Sequence, residues 1–370
     1  CAVNTPGRYV LPGRAVDDRT KTFRLTLTVT KVPVTSVRWL DPELRLPVGT
    51  TTPVGSVAEV LPKDATHPEL KYEILQGRDL VEFDPATGLI KGVKPGVAKI
   101  KATSVDDPKL SDTLTIRVFV PLPVTNGLAL HLDALEFDTS FLIDPRGMGG
   151  AIKGWNDISG NAHHFYRSVQ EKNVPQFVAD PTVPSVRLRE GPLEGAIPTI
   201  LLAKKKDVMP NRPTVIFIVS KQNTDEFELI SQYELESDND RERLVSFGQE
   251  RNNGTNLKVF LDDTGQTQST EPTAAQTIHL DVVSFIPQAD GRTIDITWNR
   301  RYGSALSLNH SFRYDKSALE DVDASSTSFF RLGGTNTTQS DFYEVIIFDN
   351  GLTTAETDQI INYLKTKWNF

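Results

Sequence analysis

Short segments in which apolar and polar residues alternate recur along the chain, and they limit its fold more than any other feature. Three clear examples lie at 23–30, 97–103 and 293–298. A repeat of two is that of a strand with one buried face, because successive side chains point to opposite sides of a sheet. Many such strands, separated by turns rich in Asp, Asn, Gly and Thr, predict an all-β protein built from sandwiches.

One segment departs from this pattern, at the C-terminus. Thr353 and Glu356 have the spacing of a capping box, in which the two side chains satisfy free backbone N–H groups at the start of a helix. Apolar residues then follow at helical spacing, namely Ile360, Ile361, Leu364 and Trp368. We predict a single helix that packs against the last sheet, with Trp368 as a packing residue.

A chain of 370 residues is too long for one ordinary core, so we expect more than one domain. Pro121 and Pro123 disfavour strand pairing and stiffen the joint between two of them. The predicted division is an incomplete β segment at 1–31, a small sandwich at 32–120, a linker at 121–126 and a large domain at 127–370.

The small sandwich has the most specific sequence, at 81–104. Gly88 and Gly96 stand where tight hairpins need a positive φ, and Pro95 precedes the second of them. Over its whole length, 32–120 resembles the bacterial immunoglobulin-like group 2 domain.

Segment 1–31 contains Gly-Arg-Tyr, an Asp-containing turn and a Thr-rich strand. This order is similar to the last two strands of many extracellular immunoglobulin-like domains. Two strands are not a stable domain by themselves. We expect them to pair with the next domain, with an upstream segment or with a neighbouring subunit.

The large domain has three characteristic stretches, at 127–134 (Gly-Leu-Ala-Leu-His-Leu-Asp-Ala), 155–161 (Trp-Asn-Asp-Ile-Ser-Gly-Asn) and 341–356. Together they resemble the laminin-G-like branch of the concanavalin A-like lectin/glucanase jelly rolls. The resemblance implies a domain that binds a ligand more often than it reacts with one. It also implies that Trp155 is a packing residue.

Charge argues against nucleic acid as a partner. The formal net charge is −8 and the pI is near 5.4, whereas phosphate binding needs a basic surface. No run approaches the roughly 18–20 apolar residues of a membrane span. Cys1 has two interpretations: a lipid-bearing first residue that anchors the protein at a cell surface, or an ordinary first residue, left by fragmentation or by removal of a methionine.

Catalysis needs a carboxylate pair if the fold is that of a glycosidase, about 5.5 Å apart in a retaining enzyme. The nearest approach is the acidic stretch 234–242, which has almost no apolar neighbours and is typical of a solvated loop. We therefore predict that the protein is not an enzyme.

Calcium is the one cofactor that the resemblance suggests, held by carboxylates and carbonyls at the rim of the sandwich. The candidate ligands are Asp133, Asp157, Asn161, Asp262 and Asp263. Asp157 and Asn161 also suit a turn at 159–161, where an Asp side chain bonds backbone N–H groups. Adjacent histidines at 163 and 164 are a weak metal signal, because neighbours on a strand point to opposite faces.

Glycan binding would use aromatic rings beside polar and basic groups. The candidates are Trp298, Arg300, Arg301, Tyr302 and Tyr166. Trp298 also continues the alternation of Ile294 and Ile296, so a place in the core is the competing interpretation.

These inferences predict a non-catalytic extracellular surface protein that binds a polysaccharide or other glycan, or adheres, through the large domain. The alternative is a structural component of a surface layer, a fibre or a phage particle, joined to neighbouring copies by strand addition. The expected location is a cell surface, with a lipid anchor at Cys1 as one option, or the exterior of a phage.

Overall fold

A computed structural model describes residues 5–54, 57–143, 150–167, 174–180, 183–189, 201–204, 212–222, 227–235, 241–250, 256–261, 264–269, 277–303, 305–315, 327–332 and 339–370. The chain forms two compact units, Cys1–Phe119 and Val120–Phe370. Within the described residues the structure is all-β, as the alternation predicts, with one α-helix and two short 3-10 turns at Ala134–Glu136 and Thr139–Phe141. The N-terminal segment falls in the same unit as the small sandwich, so the four-part division stays a prediction.

The chain begins with a two-stranded antiparallel ribbon of β1 (Gly7–Arg14) and β2 (Thr22–Val29). Tyr9 lies opposite Leu27 and Leu11 opposite Leu25, so one face is apolar. In the described part of the chain these two strands pair only with each other. The ribbon therefore has an exposed apolar face, with Phe23 58% and Leu25 54% exposed.

Nine short strands follow in the first unit: β3 (Ser36–Trp39), β4 (Glu43–Pro47), β5 (Thr51–Pro53), β6 (Ala58–Leu61), β7 (Leu70–Gln76), β8 (Val81–Asp84), β9 (Leu89–Gly92), β10 (Gly96–Ser104) and β11 (Ser111–Phe119). They form three sheets, in the orders β4-β11-β10-β7, β5-β9-β8 and β3-β6. The predicted alternation in β10 is confirmed, since Ala98, Ile100 and Ala102 are buried. Gly88 and Gly96 have φ values of 68° and 144°, as their turns require.

The second unit contains two large sheets. Its strands are β12 (Leu128–Asp133), β13 (Gly154–Trp155), β14 (Phe165–Arg167), β15 (Gln176–Val178), β16 (Ser185–Arg189), β17 (Leu201–Lys204), β18 (Thr214–Gln222), β19 (Phe227–Leu235), β20 (Arg241–Glu250), β21 (Asn256–Leu261), β22 (Thr264–Ser269), β23 (Ile278–Pro287), β24 (Thr293–Tyr302), β25 (Ala305–Asp315), β26 (Thr327–Leu332) and β27 (Gln339–Phe348). The first sheet has the order β15-β16-β27-β18-β23-β24-β25, with β12 also on β27, and the second has the order β13-β14-β17-β26-β19-β20-β21-β22. Side chains of both sheets share one hydrophobic core.

The helix α1 (Thr354–Trp368) begins at the predicted capping box, in which the Thr353 hydroxyl and the Glu356 carboxylate each bond the other residue's backbone N–H. Ile360, Leu364 and Trp368 are buried, which confirms the packing role of Trp368. Strands β12, β18 and β27 are buried on both faces over most of their length. One face of these strands packs into the hydrophobic core, and helix α1 covers the other face at Asp133 and Glu344.

Candidate functional site

Three aromatic rings meet on the surface of the second unit, and we call them the aromatic patch: Phe141, His164 and Tyr166. The ring centroid of Phe141 lies 5.6 Å from that of His164 and 5.9 Å from that of Tyr166. The His164 and Tyr166 rings are 6.4 Å apart and nearly perpendicular. Tyr166 is 51% exposed, so the patch combines a packed base with an accessible ring.

Strand alternation points Tyr166 away from the core, while Phe141 packs against the edge of the core. Phe165 and its cross-strand partner Trp155 are fully buried, whereas Tyr166 points away from them. Trp155 is therefore a packing residue, as predicted. Gly154 lies opposite Tyr166, and a Cβ there would come within 2.3 Å of the Phe165 carbonyl oxygen and within 2.9 Å of the Phe141 ring. The absence of a side chain at Gly154 lets Phe141 pack beside Tyr166.

The turn that follows β13 fixes His164. The backbone N–H of Asp157 donates to Nδ1 of His164 at 2.9 Å. Because Nδ1 is an acceptor, the neutral imidazole carries its proton on Nε2. The patch therefore contains two hydrogen-bond donors, Nε2–H of His164 and the Tyr166 hydroxyl, beside its aromatic ring faces.

Two of the candidate calcium ligands serve the turn chemistry that the sequence also allows. The Asp157 carboxylate accepts hydrogen bonds from the backbone of His131, Ser159 and His163 at 2.9–3.0 Å, and from the Ser159 hydroxyl at 2.8 Å. The Asn161 amide donates to two backbone carbonyls, with the nearer, Leu128, at 2.8 Å. A calcium ion would compete with these donors for the Asp157 oxygens, whereas the Asn161 contacts use the amide nitrogen and not the oxygen that calcium binds. Candidates Asp262 and Asp263 lie outside the described residues.

The third described candidate, Asp133, belongs to a buried polar group that we call the ammonium cluster: His131, Asp133, Glu344, Tyr363 and Lys367. Nζ of Lys367 is 2.5 Å from Oδ2 of Asp133, 2.8 Å from Oε2 of Glu344 and 2.9 Å from the Tyr363 hydroxyl. Nε2 of His131 is 2.7 Å from Oε1 of Glu344. The Asp133 carboxylate thus binds an ammonium group of the protein itself, where the sequence suggested calcium.

The pKa values of this cluster are set by burial and by the close charges. Burial raises the pKa of Asp133 above its ordinary value despite attraction to Lys367. Burial also acts to raise the pKa of Glu344, but Lys367 and the hydrogen bond to His131 bring it down to about 2. Burial favours the neutral form of Lys367, yet Asp133 and Glu344 together raise its pKa well above the ordinary value. The ammonium therefore remains charged in the interior.

Two of the candidate glycan ligands are corrected by the structure. Trp298 and Arg300 each have only 1% of their surface exposed, so a sugar on the surface cannot reach them. Nε1 of Trp298 donates to Oδ1 of Asp281 at 2.8 Å, and the Arg300 guanidinium donates to both oxygens of the same carboxylate at 2.8 and 3.1 Å. Trp298 is therefore a core residue, which was the competing interpretation of its sequence pattern. Arg301 and Tyr302 are partly exposed and lie outside the aromatic patch.

The same region contains a serine, a histidine and an aspartate that do not form a catalytic relay. Ser220 Oγ and Asp281 Oδ2 both approach Nε2 of His279, at 3.4 and 3.3 Å. Nδ1 of His279 is 3.1 Å from the Thr277 carbonyl oxygen. A relay needs the acid and the nucleophile on different ring nitrogens.

In the acidic stretch 234–242, Glu234 and Glu242 lie opposite each other on the paired strands β19 and β20, and residues 236–240 lie outside the described residues.

Sequence reasoning missed Phe141, Glu344 and Lys367, and it considered His164 only as a weak metal signal. The signal for the aromatic patch was available: Tyr166 follows the buried Phe165 on one short strand. The signal for the ammonium cluster was weaker. A lysine among the apolar positions of the last turn of α1 is normally assigned to the surface.

Comparison of the sequence with known protein families gives a match in the first unit. Residues 33–114 match the family described as bacterial Ig-like domain (group 2). This stretch is similar to bacterial Ig-like domains. The match confirms the resemblance seen in its turns and covers most of the strands of the first unit. It does not extend to the second unit, whose laminin-G-like character stays a proposal.

Solved structures resemble the chain only distantly. A GH54 α-L-arabinofuranosidase is 12% identical over 59% of this chain and 51% of its own, with a TM-score of 0.40. The binding domain of botulinum neurotoxin DC is 11% identical over 66% and 53%, with a TM-score of 0.38. A Bauhinia forficata lectin in complex with GalNAc is 9% identical over 51% and 99%, with a TM-score of 0.33. This chain spans about half the length of the arabinofuranosidase chain.

No curated protein matches the sequence significantly. Within the described residues, no helix is both long and apolar enough to cross a membrane.

Proposed function

We propose that this protein is a non-catalytic extracellular protein whose second unit binds a glycan at the aromatic patch. The observation that carries the proposal is the half-exposed ring of Tyr166, held by Phe141 and His164 outside the core. An exposed aromatic ring that is fixed by its neighbours loses little side-chain entropy when a ligand covers it. The bacterial Ig-like domain in the first unit suits a role in which one domain carries another at a surface.

The chemistry of the patch fits a sugar ring. The apolar C–H face of a pyranose packs against an aromatic face, while its hydroxyls need hydrogen-bond partners at the edge. The Nε2–H of His164 and the Tyr166 hydroxyl are such groups. The proposed ligand is a saccharide that lies across Tyr166 and bonds these groups at its rim.

Substitution of Tyr166 by alanine should weaken glycan binding by about tenfold or more, equivalent to about 1.4 kcal/mol. The full chain is first screened on an array of neutral and acidic polysaccharides, and the best ligand is then titrated by calorimetry. Leu75→Ala is the matched control, because Leu75 lies in the Ig-like domain and is also 51% exposed. Equal affinities for Tyr166→Ala and the parent protein would contradict the proposed site, and silence across the array would contradict the proposed function.

A second candidate function is assembly with other copies of this chain, and the β1–β2 ribbon favours it. Isolated two-stranded ribbons are marginally stable in water, and this one exposes Phe23, Leu25 and Leu27 on one face. Segment 1–31 has six basic residues and two acidic ones, although the whole chain carries −8. Its positive charge is therefore attracted to the acidic remainder of a second copy.

Sedimentation velocity of the full chain tests this assembly. We expect self-association that weakens as salt rises, and that falls by about tenfold in affinity for the Phe23→Ser, Leu25→Ser double variant. Val16→Ser is the control, because Val16 is 94% exposed in the ribbon turn but lies outside the paired strands. A monomer at all concentrations and salt conditions would rule out assembly through this face.

A further inference from the structure

The ammonium cluster has the ligand arrangement of a metal site. One donor atom each from His131, Asp133 and Glu344 lie within 4.8 Å of one another, and all three residues are buried. Asp133 and Glu344 are cross-strand partners on β12 and β27, and His131 lies two residues before Asp133 on the same face. Two paired strands therefore hold the three side chains in place from opposite ends of the unit's sequence.

The cation at this site is the Lys367 ammonium. Its three N–H donors are matched by three acceptors, on Asp133, Glu344 and Tyr363, at 2.5–2.9 Å. A lysine ammonium in the interior needs such compensation, since an unpaired buried charge is very costly. The ammonium thus occupies the position between two carboxylates that a divalent ion would take.

We propose that the ammonium cluster is a divalent-cation site in which Lys367 of helix α1 takes the place of the metal. Removing the Lys367 side chain should therefore create a zinc site. An imidazole nitrogen and two carboxylate oxygens are the three protein ligands typical of open zinc sites, where water fills the fourth position. Zinc would take Nε2 of His131, so the imidazole proton moves to Nδ1 or leaves to solvent.

The proposal has a consequence for the natural chain. If the resident cation is covalently part of the protein, the folding of the second unit does not depend on divalent metal. A chelator should leave the melting temperature of the parent protein unchanged. Displacing Lys367 would also free the C-terminal turn of α1, because Lys367 bonds strand β12 through Asp133 and strand β27 through Glu344.

The experiment compares the parent protein with Lys367→Ala, with the double variant Lys367→Ala, His131→Ala, and with Lys365→Ala. Lys365 lies on the same helix and has no carboxylate partner among the described residues, which makes it the matched control. Melting temperature is measured in EDTA and in Zn²⁺, and Co²⁺ is added to record the visible absorption of a four-coordinate site. We expect Zn²⁺ to raise the melting temperature of Lys367→Ala alone, and Co²⁺ to give a visible band with that variant alone.

Loss of the lysine leaves two buried carboxylates without their cation, so Lys367→Ala can fail to fold in EDTA. In that case, refolding yield and far-UV circular dichroism with and without Zn²⁺ provide the readout, and Lys367→Met preserves more of the side-chain volume. Refolding that depends on Zn²⁺ supports the proposal. Two results overturn the proposal. The first is that neither Lys367→Ala nor Lys367→Met responds to Zn²⁺ or Co²⁺. The second is that the parent protein itself binds Zn²⁺ and that a His131→Ala variant loses this binding.

Discussion

Replacement of Glu344 by alanine is expected to lower the free energy of unfolding of the second unit by about 3–5 kcal/mol. The Glu344 carboxylate accepts hydrogen bonds from Trp368 Nε1 at 2.6 Å and from the Tyr363 hydroxyl at 3.0 Å, both on α1. It also pairs with the Lys367 ammonium and with His131. Removing it takes away the acceptor of the buried Trp368 N–H and leaves the buried ammonium with one carboxylate instead of two, and both losses are costly away from water.

Urea unfolding of the full chain, followed by circular dichroism and tryptophan fluorescence, measures this effect. Asp358→Ala is the control, because Asp358 lies on the exposed side of the same helix. The control should unfold at the urea concentration of the parent protein. A change below about 1 kcal/mol for Glu344→Ala would show that the cluster does not hold the helix. Since the chain has two compact units, the transition of the second unit is fitted separately.

Replacement of Asp281 by asparagine is expected to have a similar effect, about 3–5 kcal/mol. Asp281 is fully buried between β18 and β24, where it binds both the Arg300 guanidinium and the Trp298 indole. Without the carboxylate, Arg300 keeps its charge in the core of the sandwich, because a guanidinium does not lose its proton in proteins. The matched control is Asp295→Asn, whose partner Arg313 is mostly exposed. That surface pair is screened by water and should contribute little.

The Asp281 interaction also predicts the direction of a pH dependence. Burial acts to raise the pKa of Asp281, but attraction to Arg300 and the hydrogen bond from His279 bring it below its ordinary value. A carboxyl group with a depressed folded-state pKa stabilises the fold above its unfolded pKa, about 3.9, and loses this contribution as the pH falls towards its folded pKa. The difference in unfolding free energy between the parent protein and Asp281→Asn should therefore shrink as the pH falls to about 4 and below. A difference that grows on acidification would contradict this assignment.

Local sequence determined much of this fold. The repeat of two in 97–103 and 293–298 specifies which side chains face the core, because a strand offers no other choice. Gly88 and Gly96 mark turns that need a positive φ, and Thr353 with Glu356 marks the start of α1. These features act over a few residues, so the chain alone reveals them. The match of 33–114 to the Ig-like family includes both of these glycine turns.

Arg300 continues the alternation of Ile296 and Trp298, but it was predicted as a surface ligand because of its charge. Strand periodicity favours burial of this side chain and its charge favours exposure, so its place depends on whether a buried group of opposite charge lies beside it. That group is Asp281, 19 residues away on the neighbouring strand, and its negative charge offsets the free-energy cost of burying the guanidinium. Registry between β23 and β24 brings the two together, and registry depends on the whole sheet.

The ammonium cluster depends even more on tertiary structure. Lys367 meets Asp133 across 234 positions of sequence, and His131 meets Glu344 across 213. No local pattern relates such residues, since the pairing of β12 with β27 and the docking of α1 bring them together. Sequence thus determined the strands, turns and helix, which follow from local backbone preferences and side-chain periodicity. The tertiary structure decided which buried charges neutralise each other and which aromatic rings remain outside, because those depend on distant strands sharing one sheet.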